Sequence, residues 1–494
     1  MDFKFTWQKK FFFIALIFYT LTAYFSVGYF NPDEHYQIIE FSGILDGNNT
    51  PQDLPWEYSK QIRSSIQPFL AFLIFKISSF FSISDPYSKA LTLRLLSAVV
   101  VLLFINNFIS EAKKLIRTSN WIVFYFLSYF LWFLPFINVR FSSETWSGLL
   151  FLFGITIILK NKKNYYHYLF LGLIFGSSFL FRYQIAFAIL GVIFWLIFIR
   201  KEKLNKIIII LLGILFTVFL GILLDSWFYG ELTIAPYNYF VENIINNKAA
   251  EFGVSPWYFY IVLILFYALL PIGILLISST IIFTYHKKTS LITWAIIPFL
   301  IIHSLVSHKE IRFLFPLINF APIILIVAYE YIIEKKWFIK NKKCLNISLI
   351  LILLLNVFGL IFANTRAAGE GRAGIVSKIH QLNNRENLNI YVTDDFYPKY
   401  LWSLNANFYK EKNAKFINIE KDKYQSIFST DKNTTNVLIL SINDLENEKL
   451  KEIQSETNMV IIKKTFPNLL FSLFKKVNLG NKVFVLYANK KAKL

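Results

Sequence analysis

The amino-acid sequence predicts an α-helical polytopic membrane protein with about 11 transmembrane helices and a small α/β extramembrane domain at its C-terminal end. Three observations carry this expectation. The 494 residues are 55% hydrophobic with mean hydropathy +0.49, more apolar side chain than one soluble core can use. The apolar residues gather in runs of roughly membrane-spanning length, separated by short basic clusters. Beyond residue 364 the composition turns mixed polar, with short β-prone runs at 389–393, 437–441, 459–463 and 482–487.

Taken in order, the apolar runs lie at 11–30, 66–81, 91–109, 121–137, 146–159, 165–181, 185–199, 207–224, 257–284, 291–305, 313–333 and 345–362. Lys/Arg clusters at 113–117, 160–163, 200–206, 286–288 and 335–343 fall between them, and the positive-inside bias assigns these to the cytoplasm. With the basic N-terminus (Lys4, Lys9, Lys10) also inside, the alternation works only if 66–109 makes one net crossing. The run at 66–81 is therefore expected to lie in the interface or to re-enter. No small-residue cleavage site follows the first run, so it is expected to remain as a span. The expected division is a transmembrane domain over 1–364, with a catalytic outer loop at 31–65, and a non-cytoplasmic α/β domain over 365–494.

Composition also excludes function classes. The formal charge of +20 sits in inter-run clusters and the tail, so it reads as topology bias and not as a nucleic-acid footprint. Cys344 is the only cysteine, which excludes an intramolecular disulfide and any zinc site of several cysteines. No Walker or dinucleotide-binding loop is present, and the histidines lack metal-ligand spacing. No cofactor is expected, although the adjacent Asp33 and Glu34 leave a divalent ion open.

The outer loops hold the polar residues that need explaining. Asn31-Pro32-Asp33-Glu34 follows the first run, with Asn31 suited to cap a helix, Pro32 to its first turn and Glu34 to bond back to the cap. Asp33, Gln37 and Glu40 would then share one helical face. An ionisable group at the mouth of a span marks a functional site, and decoration of a helix start is the plainer alternative. In His308-Lys309-Glu310-Ile311-Arg312-Phe313, His308 and Arg312 would face the same way on a helix, and three cationic groups suit a phosphate. Snorkelling anchors are the alternative there. Asp225, Tyr229, Asn238 and Trp257 lie in a loop whose aromatics suit either a sugar or an interfacial belt. Arg140 with Glu144, and Arg182 with Gln184, read equally as ion or hydrogen-bond pairs closing helix ends and as binding groups. Arg63 is a weaker candidate.

Through Asn31-Pro32-Asp33-Glu34 and His308-Lys309-Glu310-Ile311-Arg312-Phe313 the chain resembles family 22 of the GT-C glycosyltransferases, the polyprenyl-phosphate-mannose-dependent mannosyltransferases of asparagine-linked glycan and GPI-anchor synthesis. That family typically opens its first motif with His, where Asn31 stands here. Weaker matches follow in order at Arg63-Ser64, Arg140/Ser142/Glu144, Asp225-Ser226 with Tyr229-Gly230, Pro236 to Asn238, and Pro256-Trp257. The resemblance implies a GT-C fold and inverting transfer of a sugar, mannose above others, from a polyprenyl-phosphate donor to a glycan or glycolipid hydroxyl. It implies Asp33 as base, with Glu34 orienting the loop or the acceptor. It also implies His308, Lys309 and Arg312 at the donor phosphate, and Arg63, Arg140, Glu144, Arg182, Asp225, Tyr229, Asn238 and Trp257 at the substrates. The partners are then donor, acceptor and membrane lipid, with no nucleic acid. Another lipid-linked sugar, a transporter and a lipid-binding subunit stay open. The Lys/Asn/Ile-rich composition points to a bacterial cell membrane, the endoplasmic reticulum being the alternative for a eukaryotic source.

Overall fold

A computed structural model describes residues 6–161, 164–335, 342–369, 372–383, 388–392, 407–409, 414–418, 435–441, 459–465 and 484–489. The chain forms two compact units. One comprises Met1–Tyr24, Trp56–Ser78 and Thr92–Thr365; the other comprises Phe25–Pro55, Ser79–Leu91 and Arg366–Leu494.

The protein is mostly helical and multi-pass. Among the described residues, Pro86–Leu115, Leu204–Tyr229, Ile311–Ile332 and Ile347–Asn364 are long and apolar enough to cross a membrane. Ile66–Phe80, Ser143–Leu159, Tyr165–Phe181, Tyr183–Ile199, Leu270–His286 and Leu291–Leu305 are apolar but shorter. Ile66–Phe80 has 15 residues, a rise of about 22 Å at ~1.5 Å per residue, short of a hydrocarbon core of ~30 Å.

Two of the expected continuous runs are broken. The run at 121–137 splits into Trp121–Phe130 and Leu134–Asn138, and the run at 257–284 splits into Phe259–Tyr267 and Leu270–His286. Proline accounts for both, since Pro135 and Pro271 sit in the first turn of the second piece, where each lacks the N–H for a bond four residues back and its ring clashes with the carbonyl there. Leu269 takes up the second break with φ 67°. The freed backbone groups of the first break find partners: Asn356 accepts from Trp132 N–H at 2.8 Å and donates to Phe130 C=O at 2.8 Å. An apolar environment demands such satisfaction, because an orphaned amide there costs several kcal/mol, about 4–8 by transfer to cyclohexane. Both breaks meet in one apolar cluster of Leu131, Phe133, Leu134, Ile137, Ala268, Ile272 and Leu325.

Elsewhere in this unit, Tyr165–Phe181 packs against Ser143–Leu159 and Leu204–Tyr229. The second contact is close enough that a Cβ on Gly172 would clash with Ile210 O. Ser143–Leu159 also packs on the 3-10 run Ile311–Phe320, a contact that shapes the site below.

Among the described residues, the second unit carries the expected α/β region as a five-stranded mixed sheet. Its strands are β1 (Leu388–Val392), β2 (Ala414–Asn418), β3 (Thr435–Ser441), β4 (Met459–Lys464) and β5 (Phe484–Asn489), in the order β2-β1-β3-β5-β4. β1 runs parallel to β2 and β3, while β5 runs antiparallel to β3 and β4. One face takes Ile375, Ile379 and Leu382 from the helix Arg372–Asn383 against Ile390, Val437, Ile439 and Leu486. The other buries Tyr391, Leu438, Leu440, Val485 and Tyr487. Burial on both faces explains why β3 reads as the unbroken apolar run Val437-Leu438-Ile439-Leu440. Strand β2 was not expected from sequence, and residues 393 and 482–483 of the expected strands lie outside the described residues.

Candidate active site

Residues 31–55 of the first loop belong to the second unit, and residues 56–65 to the first. Asn31 caps the turn Pro32–Glu34 as expected, accepting from Asp33 N–H at 3.1 Å. Glu34 reaches one residue beyond the cap and accepts from Phe30 N–H at 3.2 Å. The expected α-helical face of Asp33, Gln37 and Glu40 does not form, because His35–Glu40 winds as a π-helix. Wider winding brings residues five apart into register, and His35 Nε2 lies 2.7 Å from Glu40 Oε1. Asp33 itself is half-buried.

The basic motif belongs to the first unit, and it also departs from the expected helix. Residues 306–310 are non-helical, Glu310 is extended (φ −127°, ψ 147°), and the 3-10 run starts at Ile311. His308 and Arg312 are linked instead by the carboxylate between them. Glu310 accepts from Arg312 Nε at 2.7 Å and Nη2 at 2.9 Å, a bidentate fork, and lies 3.0 Å from His308 Nε2.

Glu144 completes the cluster. Ser142 caps the helix Ser143–Leu159 through Thr145 N–H, which sets Glu144 in its first turn. Its Oε1 lies 3.1 Å from Arg182 and 3.3 Å from Arg312. Glu144 thus pairs with arginines from two other elements and not with Arg140, four residues before it. The Phe313 ring lies 5.0 Å from the Arg182 guanidinium and 5.2 Å from that of Arg312. Gly148 permits the arrangement: a Cβ there would meet Pro316 Cα and O at 2.5 Å. Glu144 and Gly148 are four apart on one helical face, so the backbone approach at Gly148 carries Arg312 to Glu144. Lys309 is buried and donates to the Ser255 and Val306 carbonyls at 2.9 and 2.5 Å, and burial lowers its pKa. Among the described residues, Arg182 and Arg312 pair with the carboxylates of Glu144 and Glu310, and Lys309 and His308 add further basic groups beside them, an arrangement suited to an anion.

A second polar group in this unit contains Asp225, Tyr229, Asn238 and Arg63. Asp225 is fully buried at the end of Leu204–Tyr229, and its Oδ1 accepts from Ser65 N–H at 2.6 Å, Ser65 Oγ at 2.7 Å and Ser64 Oγ at 3.2 Å. Tyr229 donates to Arg63 C=O at 2.8 Å and Asn238 to Gln61 C=O at 3.4 Å. These three residues fix the backbone of 61–65. Arg63 lies over the Tyr239 ring at 5.7 Å and 3.9 Å from Glu57. Arg140 is buried over Phe136 at 5.7 Å. Trp257 is 68% exposed and packs edge-on against Tyr258.

The structure brings His308, Arg312, Glu144 and Arg182 into one cluster and Arg63, Asp225, Tyr229 and Asn238 into another. Sequence reasoning did not single out Glu310, Phe313 and Gly148. Glu310 and Phe313 were visible within the basic motif, whereas Gly148 has no signal apart from its fourth place after Glu144. Among the described residues no group of three His, Cys, Asp or Glu comes together as a metal-binding set.

Comparison with known proteins adds lineage to this geometry. GPI mannosyltransferase 3 of Candida albicans is 27% identical over 369 residues, covering 73% of this chain and 70% of that one. A mannosyltransferase of Arabidopsis thaliana is 27% identical over 331 residues, 63% of this chain and 57% of its own length. The chain thus spans little more than half of the Arabidopsis relative. The crystal structure of ArnT from Cupriavidus metallidurans superposes with a TM-score of 0.53 over 98% of each chain at 10% identity, which shows a shared GT-C fold. Residues 11–401 match the Alg9-like mannosyltransferase family, and the chain belongs to that family.

Proposed function

We propose that the protein transfers a mannosyl group from a polyprenyl-phosphate donor to a hydroxyl of a glycan or glycolipid, with inversion, on the non-cytoplasmic side of a membrane crossed about 11 times. The observation that carries this reading is the pairing of Arg182 and Arg312 through Glu144 beside His308, within a chain of this family. GPI mannosyltransferase 3 of C. albicans supports the sugar by its name. ArnT was solved with undecaprenyl phosphate, a lipid of the donor's class. The bacterial membrane expected from composition gains no support from relatives of plant and yeast origin.

In this reading the Asp33 carboxylate takes the proton of the acceptor hydroxyl as its oxygen attacks the anomeric carbon. The bond from that carbon to the phosphate oxygen breaks, and polyprenyl phosphate leaves. Arg312 and His308 bind the phosphate and stabilise the charge it gains, with Lys309 adding its field from behind. Glu34 holds the loop through Phe30 N–H. Arg63, Arg140, Arg182 and Trp257 contact donor or acceptor, while Asp225, Tyr229 and Asn238 serve the substrates by setting the 61–65 backbone.

The test is transfer of labelled mannose from polyprenyl-phosphate-mannose by the purified protein, with a crude glycolipid extract as acceptor. A positioned base contributes about 10²–10⁴ in rate, so Asp33→Asn should lose that factor while remaining folded. Transfer at the normal rate by Asp33→Asn would remove the base assignment.

A further inference from the structure

Glu40 and His35 are each about 1% exposed, and the mechanism above uses neither. A buried carboxylate needs a full set of donors, and Glu40 has one. Its Oε1 lies 2.7 Å from His35 Nε2, its Oε2 accepts from Asn49 Nδ2 at 2.7 Å, and Phe408 N–H donates to Oε1 at 3.2 Å. The C-terminal turn Asn407–Tyr409 is thereby bonded to the first loop, and Asn407 adds a second link through Asn49 at 2.8 Å.

The rings repeat the connection. His35 lies nearly parallel to Tyr409 (5.2 Å, 17°) and to Tyr29 (5.8 Å, 24°), and Tyr409 also packs on Tyr87 at 4.6 Å. Tyr29 and His35 flank the Asn31–Glu34 turn on either side. His35 N–H closes that turn on Pro32 C=O. The backbone carrying Asp33 is consequently held at both ends by residues that contact Tyr409 directly or through one ring.

We propose that the C-terminal region is a positioning element of the reaction: the Asn407–Tyr409 turn, received by His35 and Glu40, holds the π turn and with it the carboxylate of Asp33. This rests on the reading of Asp33 as the base. His35, Glu40 and Tyr409 act through Asp33 and are positioning residues; they need not touch a substrate.

The experiment measures mannosyl transfer by the full-length protein with His35→Ala, Tyr409→Ala and Tyr409→Phe, each alone and combined with Asp33→Asn. His35→Ala and Tyr409→Ala are expected to lower kcat by about 10–100-fold with donor KM changed less than about twofold, as a displaced base predicts. Tyr409→Phe keeps the ring and should restore the rate. In the Asp33→Asn background the clamp substitutions should cost nothing further, because the group they position is already gone. An undiminished kcat in both alanine variants overturns the proposal. So does an equal loss in the Asp33→Asn background, or a loss confined to donor KM. Where an alanine variant does not fold, Glu40→Gln, which keeps the side-chain volume, reads the same clamp. If Asp33→Asn is itself active, the base reading and the clamp fall together. If Asp33→Asn is inactive and the clamp variants are normal, only the clamp falls.

Discussion

Replacing Glu144 with Gln removes a negative charge shared by Arg182 and Arg312. Their nitrogens lie 3.1 and 3.3 Å from the same oxygen, so those two atoms are about 6 Å apart at most. At an effective dielectric of about 20, unit charges at that separation repel by about 3 kcal/mol, and each attraction to the carboxylate is worth about 5 kcal/mol. Desolvation offsets much of the attraction, and breaking a buried pair from one side costs about 3–5 kcal/mol. Arg312 keeps its fork to Glu310, so the cost falls mainly on Arg182, whose other bond is to Ser143 Oγ at 3.3 Å. Glu144→Gln should lower the midpoint of thermal unfolding in detergent. A phosphate held by both arginines would resupply the missing charge. Added polyprenyl phosphate should therefore raise the midpoint of Glu144→Gln more than that of the unsubstituted protein. An unchanged midpoint without lipid, or an equal rise in both proteins, refutes the reasoning.

Three further outcomes are expected. Arg312→Ala should raise donor KM by more than tenfold and leave acceptor KM little changed; movement of the acceptor constant alone would show that the phosphate assignment is wrong. Gly148→Ala forces a Cβ into Pro316, whose backbone lies 2.5 Å away; overpacking of this kind costs about 1–3 kcal/mol, and the shift of Arg312 from Glu144 should appear as a higher donor KM in folded protein. Burial pushes the Asp85 carboxyl up, but bonds from Ser88 and His380 more than offset this and hold its pKa below 3.8. Its contribution is therefore complete above its unfolded value and is lost as pH falls through the lowered folded value. Asp85→Asn should reduce the acid sensitivity of unfolding below about pH 4, and an identical acid limb in both proteins would contradict it.

Much of the helical frame was legible because apolar run length is written locally. The breaks at 131–133 and 268–269 were not, since they fall in residues as apolar as their neighbours. Pro135 and Pro271 were the visible hints, and the decisive partner of the first break, Asn356, comes from another helix. Strand β2 was hidden because Ala414-Lys415-Phe416-Ile417-Asn418 is short and polar-edged, and becomes a strand only by parallel pairing with β1.

At the site, the sequence alone determined the candidate chemistry: an acidic pair after the first span, a basic motif late in the chain, and family membership through both. Residue type and spacing suffice for that, because charge in an apolar chain is conspicuous. Tertiary structure alone decided the partnerships. Glu144 has Arg140 four residues away, yet it pairs with Arg182 and Arg312, since ion pairs form where packed elements converge. His35 meets Glu40 only because the intervening turn is wound as a π-helix, and their hold on the Asn407–Tyr409 turn joins residues more than 360 positions apart. Such contacts depend on backbone path and on the burial that makes each unpaired group costly, and neither is recorded in local sequence.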